Sequence, residues 1–473
     1  MNDIERQNGK KDFKRLYFIG AGGIGMANLE RYFMKQGYPV AGYDRTASPL
    51  TRQLEQEGAQ LIYTDDENLI PADFRNAADT LVVYTPAVPA DSRILTWYRS
   101  HGFEPIKRSA LLGEITKLSK SICVAGSHGK TTTCSMTANI LRQEGSIGCN
   151  AFLGGILRNT GSNIVMCEGA DWAVIEADEY DRSFHRLSPT IAIVTSVDPD
   201  HLDIYGDEEG YLEGFAHFTS LIRPGGSLIM HEGIKLHPRV GANVKIMTYS
   251  GTNKGDWHAE EIEYGDGTIT FTLACPDGRK IRGLHPGVPV EINIDNAVAA
   301  AAASLIAGAS EEDVRKGLST FKGAKRRFEI WQDGRDGSPA LIDDYAHSPN
   351  EVRAAIHSVR KLYPGRKISV IFQPHLYTRT RDFAPDFADA LSEADEVILP
   401  EIYPARELPI PGVNSEMILE MVRAPRKCCC QRKDLLNLIK NSNFDILMTL
   451  GAADIDLLLP DIAKTLDTAR AEK

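Results

Sequence analysis

Glycine-rich turns between an apolar strand and a helix are the feature that most constrains the fold of this chain. "KRLYFIG" is an apolar strand candidate that continues through glycines into the helix candidate "MANLERYFMKQG", and "SICVAG" continues in the same way into "KTTTCSMTANILRQEG". Later strand candidates, among them "WAVIEAD", "TIAIVTSVD" and "KISVIFQ", also alternate with helices. Strands that alternate with helices pair in parallel. The sequence therefore predicts an α/β fold.

Three blocks of this kind follow one another along the chain. The 473 residues allow roughly two to four domains. We predict a Rossmann-like N-terminal domain over residues 1–120, a central α/β domain of the P-loop ATPase type over 121–324, and a Rossmann-like C-terminal domain over 325–473. The stretch from about Glu260 to Glu291 alternates around two Asp-Gly pairs, which indicates antiparallel β-hairpins in the central domain.

Charge, hydropathy and cysteine use narrow the class of protein. The net charge of −11 argues against broad nucleic-acid binding. The polar start and the lack of an apolar run long enough to cross a bilayer predict a cytoplasmic protein without membrane insertion. Cys428, Cys429 and Cys430 are consecutive and the other cysteines are scattered, so we favour reduced thiols over a metal site.

The turn "GSHGKTTT" has the chemistry of a phosphate-binding loop but not the usual spacing. A Walker loop reads G-x-x-x-x-G-K-[ST], and its first glycine would fall at Val124, whereas the nearest earlier glycine is Gly126. A loop between a strand and a helix still aims backbone N–H groups at phosphate. Lys130 would reach the terminal phosphates, and the Thr131 hydroxyl would hold Mg²⁺. The alternative is a structural strand–helix turn.

Motifs in a fixed order along nearly the whole chain favour the nucleotide loop. They are "GAGGIGM" at 20–26, "GSHGKTTT" at 126–133, "IEADE" at 175–179, "DPDHLD" at 198–203, "NIDN" at 293–296, "KRRFE" at 325–329, "DDYAHSP" at 343–349 and "FQPHLYTRTRDF" at 372–383. This set resembles the Mur ligases, the ATP-dependent amino-acid ligases of peptidoglycan precursors. The shortened G-x-x-G-K-T-T loop resembles the loop of that family.

The resemblance implies a reaction in two steps. ATP phosphorylates the lactyl carboxylate of UDP-N-acetylmuramate, and the amine of L-alanine then attacks the acyl phosphate and releases phosphate. Both steps pass through anionic states that metal ions and cations stabilise. The implied partners are UDP-N-acetylmuramate, ATP as co-substrate and L-alanine, with Mg²⁺ as cofactor and Mn²⁺ as the alternative ion. Within the family, the competing interpretation is a recycling ligase that attaches a tripeptide to the same nucleotide.

The family motifs also imply roles for individual residues. The catalytic residues would be Lys130, Glu176, His201 and Arg327. ATP would contact Gly126, Ser127, His128, Gly129, Lys130, Thr131, Thr132, Asn293, Asn296, Arg327 and Asp344. The UDP sugar would contact Gly20, Ala21, Gly22, Gly23, Ile24, Gly25, Met26, Asp44, Thr85 and Pro86. The amino acid would contact Tyr345, His347, His375 and Arg379, and the metal ligands would be Thr131, Glu176 and His201.

Several of these positions have competing interpretations. Asp178, Glu179 and Asp181 lie beside Glu176, and spacing alone cannot choose the metal ligand among them. Asn293 and Asn296 could instead be a helix cap and a solvent-facing amide. Lys325 and Arg326 could form only a solvated hinge, and His201 could be a solvated loop residue.

The sequence departs from the wider family at four positions. Phe215 stands where several Mur ligases have a carbamoylated lysine, and the alanine-adding branch also lacks that lysine. Leu376 replaces an arginine, Ser348 a histidine and Ala453 a glycine found in relatives. The departures at Leu376 and Ser348 bear on how the amino acid would be recognised.

A rival function follows from the first glycine turn alone. Gly20, Gly22 and Gly25 match G-x-G-x-x-G after a strand, and Asp44 stands where a dinucleotide-binding fold holds the ribose. A nicotinamide-dependent oxidoreductase joined to an ATPase is therefore the alternative from another reaction class, and an ATP-driven binding switch is a third. In the Mur family this motif binds the UDP pyrophosphate, and the full motif set favours the ligase.

Overall fold

The computed structural model describes residues 13–199, 202–265, 267–323, 326, 328–334, 337–405 and 407–471. The chain forms two compact units, one of residues 1–260, 273–281 and 295–320, and one of residues 261–272, 282–294 and 321–473. No helix within those described ranges is long and apolar enough to cross a membrane.

The N-terminal region is a parallel sheet with helices between its strands. Its elements are β1 (Arg15–Ile19), α1 (Ile24–Lys35), β2 (Val40–Tyr43), α2 (Pro49–Glu57), β3 (Gln60–Ile62), β4 (Thr80–Tyr84), α3 (Arg93–Ser100), β5 (Ile106–Lys107) and α4 (Arg108–Leu118). The strand order is β3-β2-β1-β4-β5, and all neighbours are parallel. The order reverses at β1, so the glycine turn after β1 lies at the point where parallel α/β sheets open a binding crevice.

The central region holds a sheet of ten strands. Its elements are β6 (Lys120–Ala125), α5 (Lys130–Leu141), β7 (Asn150–Leu157), β8 (Ser162–Met166), β9 (Trp172–Glu176), β10 (Ile191–Val194), α6 (Leu202–Tyr205), α7 (Glu208–Ser220), β11 (Ser227–His231), β12 (Lys245–Ser250), β13 (Trp257–Gly265), β14 (Thr268–Ala274), β15 (Lys280–Leu284), α8 (Ile292–Ala307) and α9 (Glu311–Ser319). The strand order is β15-β14-β13-β12-β11-β10-β6-β9-β7-β8.

Two features of the central sheet position its chemistry. The β6 strand is buried from Ser121 to Ala125 and pairs in parallel with β9 and β10. The β7 strand pairs in parallel with β9 and antiparallel with β8. The loops that follow β6, β9 and β10 therefore leave the same edge of the sheet, because parallel strands end on one side. Consecutive strands β13, β14 and β15 are neighbours, as hairpins require.

The C-terminal region forms a sheet of six strands. Its elements are β16 (Glu329–Gln332), β17 (Ala340–Asp344), α10 (Pro349–Leu362), β18 (Ile368–Phe372), α11 (Tyr377–Leu391), β19 (Glu396–Leu399), α12 (Ser415–Leu419), β20 (Arg426–Cys429), α13 (Leu435–Lys440), β21 (Ile446–Leu450) and α14 (Leu459–Ala471). The order is β16-β17-β21-β18-β19-β20, and among the described residues only the β16–β17 pair is antiparallel. The predicted α/β class is confirmed.

Polar contacts join the first two sheets within their unit. Asn28 on α1 donates from Nδ2 to Leu153 O at 2.9 Å, and Arg31 donates to Asn163 Oδ1 at 2.7 Å. Asn163 in turn donates to Ile24 O at 2.7 Å. Because Asn28 and Arg31 are buried, these bonds fix α1 against β7 and β8. The glycine turn at the start of α1 is thereby held near the end of β9.

Candidate active site

The loop after β6 requires glycine at both of its glycine positions. Gly126 has φ of 142° and Gly129 has φ of 79°, a region that side chains with a Cβ rarely adopt. A Cβ on Gly126 would lie 2.0 Å from Thr195 Oγ1, and one on Gly129 would lie 2.7 Å from Asn296 Oδ1. The loop is therefore packed against the end of β10 and against α8. The helix α5 begins directly after it at Lys130.

Lys130 points back over this loop. Its Nζ donates to Gly126 O at 2.5 Å and to Glu179 Oε1 at 2.9 Å. The side chain of Lys130 is 15% exposed and that of Glu179 is 4% exposed. Glu179 thus holds the ammonium group above the loop of residues 126–129. The sequence alone left Glu179 among several candidate metal ligands.

Glu176 contacts the threonine predicted to share a metal ion with it. Its Oε1 accepts from Thr131 Oγ1 at 2.9 Å, and its Oε2 accepts from Gly154 N at 2.9 Å. Burial raises the pKa of this carboxyl group, although the Thr131 hydrogen bond and the Lys130 charge oppose the shift. A bound cation would offset that desolvation. The third predicted ligand, His201, lies outside the described residues, as does Arg327.

The structure separates the acidic residues that crowd this stretch. Asp178 forms an ion pair with Arg108 at 3.6 Å, and Asp181 forms one with Lys107 at 2.7 Å. Only Glu176 of this group contacts Thr131. In the described ranges no group of three or more His, Cys, Asp and Glu side chains converges as a metal site. The predicted pair of Thr131 and Glu176 nevertheless brings a hydroxyl and a carboxylate oxygen together.

The two asparagines of "NIDN" are buried, so the alternative of a solvent-facing amide is wrong. Asn293 is 5% exposed and Asn296 is 4% exposed. Thr133 on α5 donates to Asn296 Oδ1 at 3.1 Å. Asn293 donates from Nδ2 to Val288 O at 3.0 Å. Asn296 therefore touches the helix that follows the phosphate loop, as a residue of the nucleotide site should.

The first glycine turn is braced by Asp44. Gly20 has φ of 89°, and Asp44 Oδ2 accepts from Gly22 N at 2.7 Å. The other oxygen of Asp44 accepts from Thr46 N at 3.0 Å. A Cβ on Gly20 would lie 2.5 Å from the Thr85 side chain, and Pro86 follows on the surface. Asp44 thus holds the turn itself.

A cavity connects this turn to Glu176. It has a volume of about 310 Å³ and is lined by Gly23, Ile24, Gly25, Met26, Asn28, Thr85, Arg108, Leu112, Phe152, Leu153, Gly154, Glu176 and Asp178. Arg108 is the one cation among these lining residues, and its guanidinium packs against Gly25, where a Cβ would lie 2.4 Å from Nη1. Sequence reasoning missed Arg108 and Gly154, because no motif marks either residue.

The end of β17 holds two aspartates in different environments. Asp344 accepts from Phe328 N at 2.6 Å and from Ala346 N at 2.7 Å. Asp343 is fully buried, accepts from Thr449 Oγ1 at 2.6 Å, and burial raises its pKa to about 7.

Arg326 is embedded in the C-terminal unit, so its interpretation as a solvated hinge residue is wrong. Its Nε lies 3.5 Å from Asp343 Oδ2, and its Nη1 donates to Ala453 O at 2.8 Å. The guanidinium also lies 5.1 Å from the ring centre of Tyr345. A nearby cation stabilises the buried carboxyl group of Asp343, which explains why Arg326 packs inside this unit and is not a solvated residue. Lys325 lies outside the described residues.

The residues predicted for the amino acid form two contacting pairs. Arg379 Nη1 lies 3.4 Å from His375 Nδ1, and the rings of Tyr345 and His347 are 5.1 Å apart. Burial, followed by the charge of Arg379, lowers the pKa of His375. Among the described residues, no carboxylate lies within ion-pair distance of Arg379. A half-buried guanidinium of this kind can take a carboxylate from a ligand.

The departures from the family have local structural roles. Ser348 caps α10: it accepts from Glu351 N at 3.4 Å, while Glu351 accepts from Ser348 N at 3.1 Å. Leu376 precedes α11 with φ of 70° and donates to Tyr403 O at 3.0 Å. Phe215 lies on α7 and is fully buried in the core, where a charged side chain would be costly.

Comparisons with known proteins place this geometry in a family. Three family models match: "Mur ligase family, catalytic domain" over residues 15–120, "Mur ligase middle domain" over 124–304 and "Mur ligase, glutamate ligase domain" over 326–452. A Parabacteroides distasonis protein named UDP-N-acetylmuramate–L-alanine ligase is 52% identical over 451 residues, which cover 95% of this chain and 97% of that protein. A Porphyromonas gingivalis protein of the same name is 50% identical, covering 96% of this chain and 99% of that protein.

Solved structures agree in fold. A UDP-N-acetylmuramate–alanine ligase from Thermotoga maritima has a TM-score of 0.75 at 25% identity and covers 97% of this chain and 100% of that chain. A murein peptide ligase from Psychrobacter arcticus has a TM-score of 0.61 at 23% identity, with 96% of this chain and 98% of that chain covered.

Proposed function

The chain belongs to the Mur ligase family, and from this premise we infer that it joins L-alanine to UDP-N-acetylmuramate in an ATP-dependent reaction of peptidoglycan synthesis. The observation that carries this conclusion is identity of 52% and 50% to relatives of that name over almost their full lengths. The product would be an amide on the lactyl carboxylate. The expectation of a cytoplasmic enzyme stays a prediction.

The phosphate loop supplies the proposed ATP site. Gly126 and Gly129 let the backbone approach phosphate, and α5 presents its N-terminal N–H groups at the same point. Lys130 would neutralise charge on the phosphoryl group as it transfers to the lactyl carboxylate. Ser127, His128 and Thr132 complete the proposed loop contacts, with Asn296 beside α5. The roles proposed for Asn293, Arg327 and Asp344 toward ATP rest on their motifs.

A divalent cation fits the donor set at Glu176. Thr131 and Glu176 present oxygen atoms 2.9 Å apart, and Mg²⁺ prefers oxygen ligands while keeping several waters. We propose that these two residues hold Mg²⁺ together with His201. The ion would stabilise negative charge on the phosphates when bound. Glu176 orients Thr131 through their hydrogen bond and is itself fixed by the Gly154 amide.

The cavity between the glycine turn and Glu176 supports the proposed path of the sugar nucleotide. The turn of residues 20–26 would hold the pyrophosphate at the N-terminus of α1. Arg108 lies beside that turn and would add a positive charge. The lactyl carboxylate would then extend toward Glu176, where the phosphoryl group is transferred.

Arg379 is the proposed anchor for L-alanine. Its planar fork suits a carboxylate bidentately, and His375 orients it through the 3.4 Å contact between their nitrogens. Anchoring the carboxylate would fix the orientation of the amine. Tyr345 and His347 would line the same site. We accordingly propose sugar binding for residues 1–120, ATP binding for 121–324 and amino-acid binding for 325–473.

Phosphate release tests this function directly. The purified chain is incubated with UDP-N-acetylmuramate, ATP, Mg²⁺ and one amino acid at a time. Release that requires both the nucleotide sugar and L-alanine is expected. Release with L-alanyl-γ-D-glutamyl-meso-diaminopimelate but not with alanine would favour the recycling ligase. Tight NAD binding without phosphate release would revive the oxidoreductase.

A further inference from the structure

Glu179 is a buried carboxylate with one strong partner. The residue is 3% exposed, and its Oε1 accepts from Lys130 Nζ at 2.9 Å. Its Oε2 is buried and has no hydrogen-bond partner among the residues that the structure describes. Tyr205 donates from its hydroxyl to Glu179 O at 2.7 Å, which fixes the backbone. The carboxylate therefore depends on Lys130 for its compensation.

Lys130 already has two hydrogen-bond partners within the chain. Its ammonium group contacts Gly126 O and Glu179, and a lysine offers three donors and no acceptor. Phosphate oxygens that enter the loop must therefore compete with Glu179 for the same cation. If Lys130 moves to phosphate, Glu179 is left as a buried charge without its partner, which is strongly unfavourable.

We propose that Glu179 is a positioning residue that holds Lys130 over the phosphate loop and competes with ATP for it, an inference that rests on the proposed ATP site. Nucleotide binding is then an exchange of carboxylate for phosphate at one ammonium group. The contact with Glu179 orients Lys130 before ATP arrives. It also lowers nucleotide affinity, so that Glu179 recaptures Lys130 and favours release of ADP.

The geometry distinguishes Glu179 from its acidic neighbours. Asp181 lies two residues after Glu179, but its side chain is 38% exposed and pairs with Lys107 instead of Lys130. Asp181 therefore offers a matched control, since Asp181→Asn removes one negative charge from that segment without touching Lys130.

Nucleotide affinity in a double-mutant cycle tests the proposal. The probe is the non-hydrolysable ATP analogue AMP-PNP with Mg²⁺, titrated into the full chain by calorimetry. Glu179→Gln keeps the shape of the side chain and removes its charge, so we expect binding about tenfold tighter than wild type. Asp181→Asn, which alters an exposed ion pair, should bind within about twofold of wild type. Combined with Lys130→Met, the Glu179→Gln change should have no effect on affinity.

Specific outcomes would overturn the inference. Equal or weaker binding by Glu179→Gln, or the same gain in the Lys130→Met background, would each reduce Glu179 to a packing role. Melting curves of all variants show whether a lost affinity reflects misfolding, with Asp181→Asn as the comparison. If the proposed ATP site is wrong, the outcome will be different. The wild type would then not bind AMP-PNP, or Lys130→Met would bind it as well as the wild type does, and either result would overturn both proposals.

Discussion

Gly154→Ala would displace the carboxylate of Glu176 without changing its charge. Gly154 lies on β7 and donates its N–H to Glu176 Oε2 at 2.9 Å. A Cβ at this position would lie 2.4 Å from Glu176 Oε2, whereas an ordinary contact begins at 3.4 Å. The carboxylate must therefore move by about 1 Å. Its hydrogen bond to Thr131 Oγ1, 2.9 Å long, cannot survive such a shift unchanged.

The expected loss is in turnover, with stability largely retained. A displacement of about 1 Å in a catalytic constellation lowers the rate by about 100-fold, which corresponds to about 2.7 kcal/mol of transition-state stabilisation. Gly154 is exposed and its φ is not positive, so alanine fits the backbone there. The lost chain entropy of the unfolded state favours folding by about 0.4–1 kcal/mol and offsets the local contact. The melting temperature should stay within about 3 °C of wild type.

Steady-state phosphate release at saturating substrates measures the effect, with a Mg²⁺ titration of each variant. Gly241→Ala is the matched control, because Gly241 also lacks a positive φ and a Cβ there meets nothing within 4 Å. A Gly154→Ala enzyme with wild-type turnover would refute the placement of Glu176 at the reacting phosphate. Loss of turnover together with a large fall in melting temperature would show that Gly154 serves folding.

Three further predictions address other parts of the site. Glu176→Gln should raise the Mg²⁺ concentration needed for half-maximal turnover by about tenfold, and an unchanged titration would remove Glu176 from the ligand set. Arg379→Lys should raise the KM for alanine about tenfold or more by losing a bidentate contact, with the KM values for ATP and the nucleotide sugar as controls. The pKa of Asp343 is about 7 in the folded state and 3.8 in the unfolded state. Between these two values the folded state binds more protons, so the free energy of unfolding falls as the pH rises from about 4 to about 7. Asp343→Asn should remove this contribution to the pH dependence of the free energy of unfolding, measured in urea between about pH 4.5 and 8.

The fold was predictable where apolar runs met glycine turns. The strands β6, β9, β10 and β18 coincide with the runs "SICVAG", "WAVIEAD", "TIAIVTSVD" and "KISVIFQ", because strands buried on both faces need continuous apolar sequence. Thr131 and Glu176 were predicted to share an ion, and the structure places them in contact. That match depended on the family resemblance, since spacing did not distinguish Glu176 from its acidic neighbours.

Residues brought to the site by sheet topology were not predictable. Gly154 reaches Glu176 because β7 pairs with β9, and nothing in the sequence around Gly154 states which strand it will join. Arg108 begins α4 and reaches Gly25 only because α1 and α4 belong to the same unit. Arg326 was misjudged for a related reason. Its partner Asp343 is adjacent to a motif, but the burial that makes a cation necessary is a property of the folded sheet.

The short phosphate loop shows why a motif cannot be interpreted apart from its neighbours. The hydroxyl of Thr195 lies 3.2 Å from Ala125 O and donates to His128 O, while Ser196 Oγ accepts from His128 N at 2.9 Å. Both residues directly follow β10, which pairs with β6. The neighbouring strand end thus supplies hydrogen-bond partners to both backbone groups of His128. These partners come from "TS" of "TIAIVTSVD" in another part of the chain, so the glycine spacing of the loop alone does not describe how the loop is held.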